Sequence, residues 1–154
     1  TVMAESIRDA NAKMYQAFEK RDYQRFVAFM HPVVISSSGG VDQLIATLRD
    51  DEADSSSKIE RKEVAGVSEV VKDGERWLAY VYIETEYSRP GGFRMLQKGA
   101  DLAVSRNDGK GWTFINIPSN EQVRDYLNES FPVLTGKIPL PLPEHKFLPP
   151  GSTP

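Results

Sequence analysis

The sequence predicts an α+β fold in which N-terminal helices pack on a curved antiparallel sheet. Apolar residues recur every three or four positions through much of residues 4–49, which is the spacing of amphipathic helices. From residue 58 onward, apolar or alternating segments are separated by short turn sequences, as in antiparallel hairpins. Helices that precede a run of strands are typical of the α+β class.

The first two helices are predicted from apolar spacing and from their ends. In residues 4–20 a single apolar stripe is formed by Ile7, Ala10, Met14, Ala17 and Phe18. Asp22 is a suitable N-cap for a shorter helix over residues 23–30. This helix should end at His31, because the residue before a proline is disfavoured in the α region.

The next segment is predicted to contain a strand, a bend, a helix and a loop. We predict a short strand at residues 33–35, followed by a bend at 36–40 that uses Gly39 and Gly40. A third helix is predicted over about residues 41–49. The acidic, serine-rich residues 50–57 are predicted to form a solvated loop.

Four strands are predicted next, at residues 58–71, 75–88, 93–106 and 112–117. Asp73 and Gly74 carry a hairpin signal between the first two strands. Turns at residues 89–92 and 107–111 join the others, and the second of these resembles an Asp-box hairpin. Gly66 is predicted to form a bulge in the first strand. Short turns between consecutive strands predict an antiparallel meander.

A last helix and an extended tail are predicted after the sheet. Ser119 and Gln122 form a capping-box signature for a helix that ends near residue 129. Its predicted inner face is Val123, Tyr126 and Leu127. Prolines then recur too often for a helix or a central strand, at positions 139, 141, 143, 149, 150 and 154. We therefore predict a domain over residues 1–130 and a proline-rich tail over 131–154.

Composition limits the partners that we expect. The chain has a net charge of −3 with dispersed Lys and Arg, which disfavours nucleic acid and anionic membrane surfaces as partners. It has no cysteine and two histidines, so we expect no disulfide, no metal site and no cofactor. Since the chain begins at Thr1 and not at Met, both export after signal-peptide removal and a cytoplasmic location stay open.

The two faces of the sheet are predicted from a symmetric hairpin at residues 89–92. In that register Trp77, Ala79, Val81 and Ile83 share an apolar face with Val104, Leu102, Ala100 and Lys98. The opposite face then carries Tyr80, Tyr82 and Asp101. It either meets solvent or a second subunit, or lines a pocket with room at Gly99.

Two sequence segments resemble the nuclear transport factor 2-like superfamily, which includes ketosteroid isomerases and SnoaL-like polyketide cyclases. They are Met14-Tyr15-Gln16-Ala17-Phe18 and Phe26-Val27-Ala28-Phe29-Met30-His31-Pro32, in the predicted order of helix, helix, short strand, helix and meander. The resemblance covers about residues 4–129. It implies a cystatin-like cone fold with a cavity between the helices and the sheet.

Compared with ketosteroid isomerases, this sequence has residues near two of the catalytic positions but lacks the catalytic base. Tyr15 lies near the tyrosine of those enzymes, and Asp101 lies near their acid. Serines at positions 36–38 occupy the stretch where a carboxylate base is expected. A serine hydroxyl is too weak a base at neutral pH, so isomerase chemistry of that type is disfavoured.

We therefore expect a binding or interaction domain without a complete catalytic set. The predicted ligand-binding residues are Tyr15, Tyr80, Tyr82 and Asp101. The expected partners are a small apolar molecule and a second copy of the chain, bound as a homodimer through the sheet. The alternative is a small isomerase, lyase or cyclase that uses Tyr15 and Asp101 as acids toward a carbonyl-containing apolar substrate.

Three further groups have both structural and chemical interpretations. His31 is interpreted mainly as a helix-end residue, with acid–base chemistry as the alternative. Glu84 and Glu86 are interpreted mainly as a solvated strand face, with a carboxylate pair as the alternative. His145 lies in the tail and supports no metal site.

Overall fold

The structure is a computed structural model that describes residues 1–54, 56–106 and 111–151. Its helices are α1 (Val2–Glu19), α2 (Tyr23–Ala28), α3 (Pro32–Ser37), α4 (Val41–Asp54), α5 (Glu121–Ser130) and α6 (Pro132–Thr135). Its strands are β1 (Lys58–Val67), β2 (Val71–Asp73), β3 (Arg76–Ser88), β4 (Arg94–Arg106), β5 (Gly111–Asn116) and β6 (Glu144–Leu148). The predicted α+β fold is confirmed. The predicted Asp-box turn lies mostly outside the described residues.

The first two helices form where the sequence predicts them. The Thr1 hydroxyl caps α1 by accepting a hydrogen bond from the amide of Ala4, and the Asp22 carboxylate caps α2 by accepting one from Arg25. Ile7, Met14 and Ala17 of the apolar stripe are buried. Through this apolar stripe, α1 packs against the sheet.

The strand predicted at residues 33–35 is wrong, because this segment is helix α3. Pro32 occupies the first turn, where its fixed φ suits a helix and its missing N–H costs nothing. Nδ1 of His31 accepts a hydrogen bond from the amide of Val33 at 3.1 Å and so caps the helix. The proline and the histidine cap at the start of the helix outweigh the preference of the following β-branched residues for a strand.

The loop predicted at residues 50–57 is also wrong in its first half, because α4 continues to Asp54. Leu44 and Ile45 are buried, as predicted for the inner face of this helix. Near its end, the Glu52 carboxylate pairs with the Arg21 guanidinium in the connection between α1 and α2. The extra turns therefore link the C-terminal part of α4 to that connection.

The sheet is curved, unclosed and antiparallel, with β3 and β4 at its centre. On one side β3 pairs with β1 and β2, and on the other side β4 pairs with β5 and β6. The predicted meander is confirmed, although its first strand divides into β1 and β2. The predicted bulge is confirmed too, since the pairing of β1 with β3 shifts between Val64 and Gly66.

The predicted register between β3 and β4 is wrong by one residue. Ser88 pairs with Arg94 instead of Phe93, because the connecting loop includes a 3-10 turn with Gly91 and Gly92 both at positive φ. A slip of one residue moves every side chain of a strand to the opposite face. Asp101 therefore lies opposite Val81, and not on the face of Tyr80 and Tyr82.

Both faces of the sheet are covered by the chain itself. The α1 face includes Ala79, Val81, Ile83, Asp101 and Ala103, and its apolar members pack with Ile7, Met14, Phe26, Trp112 and Phe114. The α5 face includes Leu78, Tyr80, Ala100, Leu102 and Val104, and these pack with Leu127, Phe131, Leu134 and Leu140. The interpretation that the face of Tyr80 meets solvent is wrong, since Tyr80 is 0% exposed.

The C-terminal part of the chain differs from its prediction at several points. Asn120 caps α5, one residue after the predicted Ser119. Leu127 is buried, but Val123 and Tyr126 are 37% and 41% exposed, so two of the three predicted inner positions are wrong. Beyond α6 the chain crosses the α5 face and adds β6 to the sheet.

Among the described residues, no helix is both long enough and apolar enough to span a bilayer.

Candidate functional site

Asp101 is the centre of a polar cluster on the α1 face, and it is only 1% exposed. Its Oδ2 accepts hydrogen bonds from the Tyr15 hydroxyl at 2.9 Å and from Nδ2 of Asn11 at 3.0 Å. Its Oδ1 accepts one from Nδ2 of Asn116 at 3.2 Å. A buried carboxylate is costly unless it is hydrogen-bonded, and three donors meet that need here.

The fold brings these groups together from three elements. Asn11 and Tyr15 are four residues apart on α1, so their side chains lie on the same side of the helix. Asn116 pairs directly with Asp101 between β5 and β4. The cluster thus connects the first helix to two strands of the sheet.

One acceptor of the cluster lacks a partner. Oδ1 of Asn11 is buried and accepts no hydrogen bond within the part of the chain that the structure describes. An unpartnered buried polar atom typically costs about 1–3 kcal/mol.

Tyr15 in the cluster and Tyr87 farther along the same face of the sheet have raised pKa values. Burial raises the pKa of Tyr15 well above its ordinary value, and the charge of Asp101 and the hydrogen bond to it raise it further. Burial also raises the pKa of Tyr87, which lies on the α1 face beyond Thr85. The Tyr15 hydroxyl is therefore protonated at neutral pH and donates to Asp101.

Lys62 of β1 extends over the Tyr15 side chain. Lys62 pairs with Thr85 of β3, and Nζ of Lys62 lies 3.7 Å from the centroid of the Tyr15 ring. Burial lowers the pKa of Lys62, while the charges of Asp101 and Glu19 act in the opposite direction. Among the described residues, none forms a hydrogen bond or an ion pair with this Nζ.

Lys62 and Tyr15 lie at a cleft of about 410 Å³ between α1 and β1. The cleft is lined by Arg8, Asn11, Glu19, Val64 and Ile83, among others. Arg8 donates a hydrogen bond from Nη1 to the carbonyl of Val64 at 3.1 Å and so links α1 to β1 at one end. The walls therefore combine apolar side chains with charges of both signs.

There is further open space on the α1 face. Gly99 lies on β4 two residues before Asp101, and a Cβ added to it would meet no atom within 4 Å. The sequence predicts room at Gly99 next to Tyr80 and Tyr82. The added Cβ would lie on the α1 face, but Gly99 also lines a pocket of about 170 Å³ together with Tyr82, Pro141 and Leu142.

Of the four predicted ligand-binding residues, the structure brings Tyr15 and Asp101 together and separates them from the other two. The Tyr80 hydroxyl donates to the carbonyl of Ile138 at 2.7 Å, and burial raises its pKa to about 12. The Tyr82 ring lies 6.4 Å from the Tyr80 ring on the same α5 face. The predicted grouping of Tyr80, Tyr82 and Asp101 is thus wrong because of the register, while ligand binding by each residue stays a prediction.

Two of the other candidates have structural partners. His31 caps α3, and burial together with the charge of Arg76 lowers its pKa. Glu86 forms ion pairs with Arg94 at 2.9 Å and with Arg61 at 3.8 Å. Neither residue contributes to the cluster around Asp101.

Asn11, Lys62 and Asn116 were not predicted as site residues. Asn11 did give a signal, because it is a polar residue between Ile7 and Met14 on the buried side of α1. Asn116 and Lys62 gave none, since their positions depend on strand register and on the bulges of β1.

No protein-family model matches the chain, and no curated protein matches it. A solved structure does match, a crystal structure of an NTF2-like protein of unknown function from Burkholderia pseudomallei. It is 21% identical, the match covers 71% of this chain and 87% of that chain, and the TM-score is 0.39. That protein is named for the superfamily that this sequence resembles. At this identity and TM-score the likeness carries no argument about a ligand or a reaction.

Proposed function

We propose that the chain binds a small molecule in the cleft between α1 and β1, and that Lys62 donates a hydrogen bond to a carboxylate or carbonyl oxygen of that molecule. One observation carries the proposal: Nζ of Lys62 lines this cleft and has no acceptor among the described residues. An ammonium group has three N–H donors and no acceptor capacity. A ligand oxygen would supply the missing partner.

The cluster below the cleft supports the proposal by fixing the position of Lys62. Asp101 holds the Tyr15 hydroxyl at 2.9 Å, and the Tyr15 ring lies beneath the ammonium of Lys62. A cation over an aromatic ring is attracted to the ring face by about 0.5–2 kcal/mol. A donor that is already oriented loses less entropy when a ligand binds.

The lining of the cleft indicates a ligand with one polar and one apolar end. Val64 and Ile83 offer apolar surface, whereas Lys62 and Arg8 offer positive charge. The apolar molecule predicted from the sequence therefore needs an oxygen acceptor as well. Glu19 in the same lining disfavours ligands with several negative charges.

The hydrogen bond between Tyr15 and Asp101 argues against these two residues as a pair of acids. The Tyr15 proton is already donated to Asp101, and Asp101 accepts from two further donors. Neither group is then free to donate to a substrate oxygen. Binding is for this reason preferred over isomerase, lyase or cyclase chemistry through Tyr15 and Asp101.

The homodimer stays a prediction. The C-terminal segment covers part of the α5 face, where Leu140 packs in the core and Ile138 accepts from Tyr80. A dimer formed through that part of the sheet would require this segment to move.

A titration by nuclear magnetic resonance tests the proposed site. Phenylacetate has an apolar ring and one carboxylate, and 2-phenylethanol is a neutral control of similar shape. We expect phenylacetate to shift amide signals of Tyr15, Lys62 and Val64, and 2-phenylethanol to shift them much less. Shifts confined to residues outside the cleft, or none at all, would overturn the proposal.

A further inference from the structure

We propose that Lys62 is also an amine nucleophile that forms an imine with an aldehyde or ketone bound in the cleft between α1 and β1. This inference rests on the proposed function, because the carbonyl compound must first enter that cleft. It goes further by assigning a covalent reaction to one named atom, Nζ of Lys62.

The environment of Lys62 differs from that of the other described lysines. Lys62 is half-buried, whereas Lys13, Lys20, Lys58, Lys72, Lys98, Lys137 and Lys146 are exposed. Exposed lysines are fully hydrated and are nearly all protonated at neutral pH. Lys62 is thus the described lysine that combines partial burial with a cleft large enough for a small organic molecule.

The contacts of Lys62 leave its nitrogen available for reaction. The nitrogen lies 3.7 Å from the centroid of the Tyr15 ring, a contact that favours the charged form, but no carboxylate among the described residues forms an ion pair with it. Burial lowers its pKa, as it does for lysines that act as nucleophiles. Asp101 and Glu19 oppose this shift through their charges.

Other charged and titratable groups surround Lys62. Arg8, Tyr15 and Glu19 face the cleft from α1, and Glu63 faces it from β1. Tyr87 lies on the α1 face of β3, and its ionisation would raise the pKa of Tyr15 further. Tyr15 and Tyr87 both have raised pKa values and are neutral at pH 7.

The reaction requires no oxidant, reductant or co-reactant. The lone pair of the neutral amine attacks the carbonyl carbon, which forms a C–N bond and gives a carbinolamine. The C–O bond then breaks, and the oxygen leaves as water with the two hydrogens that the amine nitrogen loses. Because the Tyr15 proton is donated to Asp101, solvent in the cleft relays these protons.

Reductive trapping of the whole chain tests the inference. The protein is incubated at pH 7 with benzaldehyde and sodium cyanoborohydride, and the benzylated lysines are located and quantified by peptide mass spectrometry. We expect Lys62 to be labelled several-fold faster than Lys58, an exposed lysine on the same strand. The preference should decline as the pH is raised toward the ordinary pKa of a lysine side chain.

The outcomes separate the two proposals. Preferential labelling of Lys62 that phenylacetate suppresses supports both of them. If phenylacetate shifts the signals of the cleft but Lys62 is labelled no faster than Lys58, the imine proposal is overturned and the binding proposal stands. If phenylacetate does not bind and Lys62 shows no preference, both fail.

Discussion

The Tyr15 hydroxyl donates a 2.9 Å hydrogen bond to Oδ2 of Asp101 and thereby joins α1 to β4. Asp101 receives two more hydrogen bonds, from Asn11 and Asn116. The Tyr15 ring in turn lies beneath Nζ of Lys62 at the cleft. One tyrosine therefore connects a buried carboxylate to the residue that we propose to contact a ligand.

Replacing Tyr15 by Phe should lower the free energy of unfolding by about 1–3 kcal/mol, because a buried carboxylate loses one of its donors. The ring is retained, so its contact with Lys62 should persist. Urea denaturation measures the change. The control is Tyr126→Phe at a tyrosine that is 41% exposed, where the change should stay within about 0.5 kcal/mol. Equal effects of the two substitutions would contradict the assigned hydrogen bond.

Replacing Asn116 by Asp should place a second carboxylate next to Asp101, since the two side chains are 3.2 Å apart. Repulsion raises the folded-state pKa of such a pair above its unfolded value. The variant should thus be closest to wild-type stability at low pH and lose stability as the pH rises through the folded-state value. Urea denaturation at several pH values measures this trend. A destabilisation that is independent of pH would contradict the proximity of the two groups.

Titration of the tyrosines at alkaline pH should show Tyr15, Tyr80 and Tyr87 ionising late. The pKa values of Tyr15, Tyr80 and Tyr87 are raised, that of Tyr80 to about 12. A folded-state pKa above the unfolded value contributes stability that is present below pH 10 and is lost as the pH rises through the folded value. Ultraviolet absorbance should show these three ionising late, with unfolding that begins in the same range. Ionisation of all six tyrosines near pH 10 in the folded chain would contradict the burial of these three.

Replacing Arg124 by Met should loosen the C-terminal segment from the α5 face. The guanidinium donates hydrogen bonds to the carbonyls of Pro118 at 3.1 Å, Leu140 at 2.9 Å and Pro141 at 2.8 Å. Hydrogen bonds from a charged donor each contribute roughly 1.5–3 kcal/mol. Hydrogen exchange should therefore become faster in residues 137–148. Arg25→Met, at an exposed arginine of α2, is the control and should leave this segment protected.

The helical half of the fold was predictable to the extent that its signals are local. The apolar stripe of α1 and the cap at Asp22 identify two helices without reference to the rest of the chain. The segment after His31 shows the limit, because its β-branched residues favour a strand while Pro32 and the histidine cap favour a helix. Two local preferences compete there, and the sequence does not rank them.

The sheet and the site depended on a geometry that is not local. The turn sequence at residues 89–92 predicts a hairpin, but the positive φ of Gly91 and Gly92 gives a loop that is longer by one residue. This difference alone moves Asp101 to the α1 face, where Tyr15 reaches it. Tyr15 and Asp101 were therefore predicted individually, whereas Lys62 and Asn116 required the observed register.

Calorimetric titration with phenylacetate tests the central claim, that Lys62 provides the acceptor site of the cleft, most directly. Lys62→Met should weaken binding by at least about tenfold, because a charge-assisted hydrogen bond contributes roughly 1.5–3 kcal/mol. Lys62→Arg should retain part of the affinity, and Lys58→Met on the same strand should retain all of it. If phenylacetate binds Lys62→Met as tightly as it binds the wild-type chain, Lys62 is not the binding group and the proposed function is wrong.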